Sequence, residues 1–286
     1  MKLGLGTAQF GQSYGIANKG ELVSRETLVN ILDFAKAYDV DLLDTASDYG
    51  NCESQLGAYG VSGFKVVTKL PGTPDDKESL STWVHSKVQA SLNTLQIDRL
   101  HGLLMHRPME LLDHHGDKLY RAILAQKDAG IVDKIGVSVY SPDELALITN
   151  RYTVDIVQLP CNVMDRRFLE TGWFDRLDEK GVEIHIRSVF LQGLLLLKVL
   201  PPYFSRWQHL FESWWQWLEH NGCSPVTGCI SFLKSITQVD RVLVGAVSLA
   251  QIEQIVQGFA ESRPLIFPDI ATQDEALVNP SRWVVS

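Results

Sequence analysis

The sequence predicts an α/β fold, specifically a closed, parallel eight-stranded (β/α)8 or TIM barrel, and three observations point to it. Short apolar runs alternate with longer amphipathic segments, the signature of repeated βα units. Eight such runs can be counted, centred near Leu3, Leu42, Val66, Leu103, Ile135, Ile156, Ile184 and Leu243. A chain of 286 residues suits one barrel of about 250 residues. No linker-like stretch divides it, so 1–286 reads as a single domain with residues 262–286 as a C-terminal tail.

Taken in order, the run around Leu3 precedes a helix from Glu26 to Tyr38. Ser24 is placed to cap that helix, and Leu28, Ile31, Leu32 and Ala35 fall three or four apart on one face. The runs at Leu42 and Val66 precede a second helix, Leu80 to Leu95, with Val84, Val88 and Leu92 spaced by four. Further strands follow at Leu103, Ile135, Ile156 and Ile184. The segment Phe211 to His220 concentrates Trp214, Trp215 and Trp217. Its stripe of Phe211, Trp214, Trp215 and Leu218 indicates packing or a subunit contact ahead of ligand stacking, with Trp217 the one candidate for a substrate role. The last run, at Leu243, leads into a helix after Ser248.

The net charge of -8 comes without a lysine or arginine cluster, which argues against nucleic-acid and anionic-membrane partners. Cys52, Cys161, Cys223 and Cys229 lack any CxxC or Cys/His ligand spacing, as expected of free thiols in a reducing compartment. Neither a secretory leader nor a long apolar span is evident, so the expected location is cytoplasmic and the expected state a monomer or weak homo-oligomer.

Three strand-like runs end in titratable residues: DLLDTASDYG in Asp44 and Tyr49, FKVVTKL in Lys69, and LHGLLMHRP in His106. Catalytic groups of a parallel barrel stand at the C-terminal ends of strands. An acid, a phenol, an amine and an imidazole delivered there make a proton-transfer set.

The motifs DTAxxYG (Asp44 to Gly50), SxxLG (Ser54 to Gly57), TK (Thr68, Lys69) and MHRP (Met105 to Pro108) occur in an order and spacing that resemble the aldo-keto reductases. LGLGTAQFG, KIGVS, VQLPCN and VLVGAVSLAQIEQI extend the likeness over nearly the whole chain. The resemblance implies NAD(P)H-dependent reduction of an aldehyde or ketone, with no metal. Tyr49 would be the proton donor, Lys69 would lower its pKa, Asp44 would hold and charge Lys69, and His106 would orient the carbonyl. The opening LGTAQFGQSYGI is similar to that of a bacterial subset associated with cell-surface sugar pathways, which implies a sugar-derived carbonyl.

The resemblance also implies an extended dinucleotide across the barrel mouth. Gly6 and Thr7 would line the nicotinamide end and Ser138 and Gln158 would bond its carboxamide, with Asn162 supporting Gln158 or the site floor. Asp44, Ser188, Gly193, Gly245, Ser248 and Gln251 would complete the site, the last two through helix-terminal amides and the adenine. Three positions depart from the family pattern. Val139 follows Ser138 where Asn is usual. Arg187 stands where an aromatic residue often stacks on the nicotinamide, and its guanidinium can stack on a flat ring. Val247 stands where an Arg or Lys often pairs with the 2'-phosphate of NADP. NADPH is favoured by family habit, with NADH the alternative.

Competing readings are a Schiff base on Lys69, a metal site using His106, His185 and Asp44, and a nucleotide sensor of the same fold with little turnover, as in potassium-channel beta subunits. Gln9, Phe10, Tyr14, Arg166, Arg167 and the tail are the candidates for a substrate pocket.

Overall fold

The computed structural model describes residues 1–13, 15–16, 22–74 and 79–284; Tyr14 and the end of the tail lie outside the described residues. Eight parallel strands close into a barrel in sequence order. They are β1 (Lys2–Gly6), β2 (Leu42–Asp44), β3 (Lys65–Leu70), β4 (Leu100–Met105), β5 (Val132–Ser138), β6 (Ile156–Pro160), β7 (Glu183–Arg187) and β8 (Arg241–Val244), and β1 pairs with β8 to complete the circle. Each run counted in the sequence is one of these strands.

Helices cover the outside and bury the stripes that their spacing implies. Ser24 accepts a hydrogen bond from the Thr27 amide at 3.1 Å and starts the helix Arg25–Ala37, whose Leu28, Ile31, Leu32 and Ala35 are buried. The helix Leu80–Leu95 buries Val84, Val88 and Leu92 in the same way. In the helix Gln208–Asn221, Phe211, Trp214 and Leu218 are buried. Trp217 takes a different part from a substrate contact. Its ring stacks on Trp214 and on Phe267, with centroids 5.3 and 4.8 Å away, and its indole N–H donates to the Ile266 carbonyl. It therefore clamps the tail to the barrel.

Inside the barrel a small apolar plug forms from Leu42, Val67, Leu104, Ile156 and Leu243. Glycines make room for it: a Cβ at Gly102 would stand 2.7 Å from Ile156 Cδ1, and one at Gly4 would stand 2.8 Å from Leu243 Cδ2. Side chains alternate along a strand, so the residue two positions after each plug residue faces the same way, one layer nearer the C-terminal mouth. Those residues are Asp44, Lys69, His106, Gln158 and Gly245. The plug is thus the floor of the layer in which the sequence places its chemistry.

Candidate active site

Lys69 is the centre of that layer. Its ammonium is almost completely buried and donates to Asp44 Oδ2 at 2.7 Å and to the Thr45 carbonyl at 2.9 Å, and it reaches the Tyr49 hydroxyl at 3.5 Å. Asp44 is fixed from its other side by Gln158, whose Nε2 donates to Oδ1 at 2.7 Å. Tyr49 comes from the loop after β2, and its ring meets His106 edge to face with centroids 5.8 Å apart. His106 Nδ1 lies 3.9 Å from Asp48 Oδ2. The four residues chosen from strand ends therefore converge, and Asp48 is a neighbour that sequence spacing alone does not single out.

Burial and the two cations of the site set the protonation states. Desolvation and the Lys69 and Arg187 charges push the His106 imidazole down to about 4, against the opposing pull of Asp48 and Asp44, so it is neutral near pH 7. Burial works to lower the Lys69 pKa, but Asp44 and Tyr49 outweigh it and keep the ammonium charged. The Tyr49 phenol departs from the simple expectation. Lys69 does favour its phenolate, yet desolvation is larger, and the net shift is upward. In this state Tyr49 is a firmly protonated phenol with an ammonium beside it.

A cleft of about 250 Å³ opens beside this cluster, lined by Gly6, Thr7, Asp44, Tyr49, Gln158, Arg187, Ser188, Gly193, Gly245 and Gln251, among others. Gly6 gives it open backbone, since a Cβ there would meet nothing nearer than the Val244 carbonyl at 3.7 Å. Ser138 and Ser248 stand behind the lining. Ser138 donates its hydroxyl to Gln158 Oε1 at 3.0 Å, which orients the Gln158 amide. Ser248 caps the helix Leu249–Glu261 by accepting from the Gln251 amide. Gln251 Oε1 in turn accepts from the Val247 amide at 2.9 Å. Asn162 serves the loop after β6: it donates to the Ser188 carbonyl and accepts from the Met164 and Asp165 amides, and so supports Ser188 in place of Gln158.

Other lining residues went unread in the sequence. Gln192, at positive φ beside the expected Gly193, belongs to the turn after β7, and Gln254 follows Gln251 by one helical turn. The spacing of Gln251 and Gln254 was the available signal. Gln9, expected near substrate, lines this cleft and lies against Gly245, where a Cβ would overlap its carboxamide. Glu53 is a buried carboxyl that accepts from Thr68 Oγ1 at 2.6 Å and Ser91 Oγ at 3.0 Å, tying β3 next to Lys69 to the helix outside it. Burial raises its pKa.

The pocket candidates after β6 have mainly structural partners. Arg167 forms a buried pair with Asp165, and Arg166 donates to the Pro268 carbonyl in the tail. No described tail residue lines the cleft. His185, a ligand in the metal reading, bonds Glu183, and among the described residues no group of three or more His, Cys, Asp or Glu side chains is arranged to hold a metal. Cys52, Cys161 and Cys229 are buried and Cys223 partly so, all as free thiols. No helix among the described residues is long and apolar enough to cross a membrane.

Residues 2–276 match the model of the aldo/keto reductase family. The chain is 29% identical over 203 residues to the oxidoreductase SirO of Leptosphaeria maculans, an alignment covering 67% of this chain and 60% of that protein. Among solved structures it resembles an aldo-keto reductase from Bacillus halodurans in its holo form, with a TM-score of 0.74 and 22% identity over 92% of this chain and 88% of that one. It also resembles the glycerol dehydrogenase of Gluconobacter oxydans, with a TM-score of 0.69 and 19% identity over 92% and 87% of the two chains. At these identities the structural likenesses speak for the fold.

Proposed function

We propose that this chain, which belongs to the aldo/keto reductase family, reduces an aldehyde or ketone to an alcohol with a nicotinamide dinucleotide as the hydride donor. The observation that carries this reading is the bridge made by Lys69 between Asp44 at 2.7 Å and the Tyr49 hydroxyl at 3.5 Å, on a wall of the cleft shared with Gly6, Thr7 and Gln158.

When bound, the nicotinamide supplies a hydride to the carbonyl carbon; the chain's own residues handle the proton. Tyr49 gives its hydroxyl proton to the carbonyl oxygen, which completes the alcohol and leaves a phenolate. The Lys69 ammonium stabilises that phenolate, and Asp44 keeps Lys69 charged and aimed. Neutral His106 donates an N–H to the carbonyl oxygen and holds it against Tyr49. Ser138 holds Gln158, and through it Asp44, so the proton donor and the cleft wall are positioned by one hydrogen-bond chain.

Gly6, Thr7, Gln158, Ser188, Gly193 and Gln251 would hold the dinucleotide. NADPH is the expected donor by family habit, and neutral Val247 leaves NADH as its competitor. A Schiff-base role for Lys69 is disfavoured because its amine is held protonated by Asp44 and is not free to attack a carbonyl. The sensor reading is disfavoured by the complete proton-transfer cluster.

The test is loss of NADPH or NADH absorbance by purified protein with a panel of carbonyls headed by short hydroxylated aldehydes. Carbonyl-dependent oxidation with formation of the alcohol supports the reading. Cofactor binding with no turnover across the panel would favour the sensor, and no binding of either dinucleotide would remove the functional claim.

A further inference from the structure

Two departures from the family pattern, Val139 and Arg187, form one structural unit. Arg187 ends β7 and Val139 follows β5, yet the Arg187 guanidinium donates from Nη2 to the Val139 carbonyl at 2.9 Å. Its Nη1 donates to Ser188 Oγ at 3.3 Å, and its Cζ sits 4.1 Å from the centre of the Tyr140 ring. A carbonyl, a hydroxyl and an aromatic face therefore fix the cation in place, and none of them neutralises it. The nearby carboxylates are engaged elsewhere: Asp44 with Lys69 and Gln158, and Asp165 with Arg167. Among the described lining residues Arg187 is the one cation of the cleft. It lines the same cleft as Asp44, Tyr49 and Gln158, which places it at the reacting end.

We propose that Arg187, locked by Val139 and Tyr140, makes the cleft discriminate between oxidation states of the nicotinamide, holding the neutral reduced ring and repelling the cationic oxidised one. The inference rests on the dinucleotide reading above. A fixed positive charge costs a neutral ring nothing by Coulomb repulsion and costs a cationic ring a like-charge contact. The consequence is a reductase that releases oxidised cofactor readily and runs poorly in the direction of alcohol oxidation. The charge contacts available to the cofactor phosphates are the same in both oxidation states, so the ratio of dissociation constants, oxidised over reduced, isolates the effect at the ring.

That ratio is measured by tryptophan fluorescence titration with NADPH and NADP+, and with NADH and NAD+. Arg187→Gln and Arg187→Tyr are expected to lower it by about tenfold relative to the native protein, the scale of one like charge in a polar cleft, while Arg187→Lys keeps it high. In the native protein, raising salt from about 0.01 to 1 M is expected to lower the ratio as the repulsion is screened, a readout that needs no variant. If Arg187 binds a cofactor phosphate instead, both affinities fall together in the neutral variants and the unchanged ratio overturns the proposal. A ratio independent of salt also overturns it. Failure of the native protein to bind either dinucleotide is a separate result, and it would sink the dinucleotide reading itself.

Discussion

At the C-terminal mouth of the barrel Asp44 holds Lys69 and Gln158; at the opposite mouth Glu183 holds Lys134, His101 and His185. Both carboxylates are largely buried at strand ends, yet they are satisfied differently. Glu183 accepts from Lys134 at 2.5 Å, from His185 at 2.8 Å and from His101 at 3.3 Å. Against the upward push of burial, these partners hold it well below the usual carboxylate range. At the upper mouth the chain stops one contact short: Tyr49 meets Lys69 at 3.5 Å and turns toward a cleft. The comparison teaches that a buried ionic cluster is not by itself a site. The cluster with a proton left to give, beside room for a ligand, is the one placed for chemistry, and the one whose carboxylate is fully engaged supports the strands.

Lys69→Met should break the upper cluster most severely. Turnover is expected to fall by about 10³-fold, because the developing phenolate loses its ammonium, and stability by about 3 kcal/mol, because Asp44 is left buried without its cation. Kinetics and urea unfolding read the two effects. Glu183→Ala should show the opposite division: a stability loss of about 3 kcal/mol with cofactor affinity and turnover of the folded protein unchanged. A selective loss of turnover in that variant would erase the distinction between the mouths.

The smallest effect is a pH dependence that separates the two ends. His106 has its folded pKa lowered from 6.5 to about 4, so between these values the unfolded chain binds a proton that the folded chain refuses. Stability from this group therefore declines as pH falls through that window, and His106→Gln should flatten the slope there. The Glu183 pKa is also lowered, from 4.5, so its contribution is complete above about that pH and drains below it; Glu183→Gln should flatten only this more acid limb. Urea unfolding at a series of pH values separates the two windows.

The fold and the convergence of Asp44, Lys69 and His106 were legible because both depend on short-range periodicity. A strand with a period of two places Asp44, Lys69 and His106 over the plug residues Leu42, Val67 and Leu104, whatever the rest of the chain does. What the sequence left hidden depends on contacts between distant segments. The direction of the Tyr49 shift follows from desolvation by the whole site, which no local pattern reports. Arg187 and its anchors Val139 and Tyr140 are separated by more than forty residues and meet only across the barrel mouth. His185 read as a metal candidate because nothing in the local sequence shows that Glu183, two residues earlier on the inward face, is its hydrogen-bond partner. Trp217 read as a candidate substrate contact because its stacking partner Phe267 lies in the tail.

The central claim is that Tyr49 is the proton donor and that the cleft beside it binds dinucleotide independently of that proton. Replacing Tyr49 by Phe removes one oxygen atom and keeps the ring that faces His106. Measured together on Tyr49→Phe, the dissociation constant for the reduced cofactor should stay within about twofold of the native value while carbonyl turnover falls by about 10³-fold. Turnover that survives the substitution would contradict the account and move the proton donor elsewhere in the site.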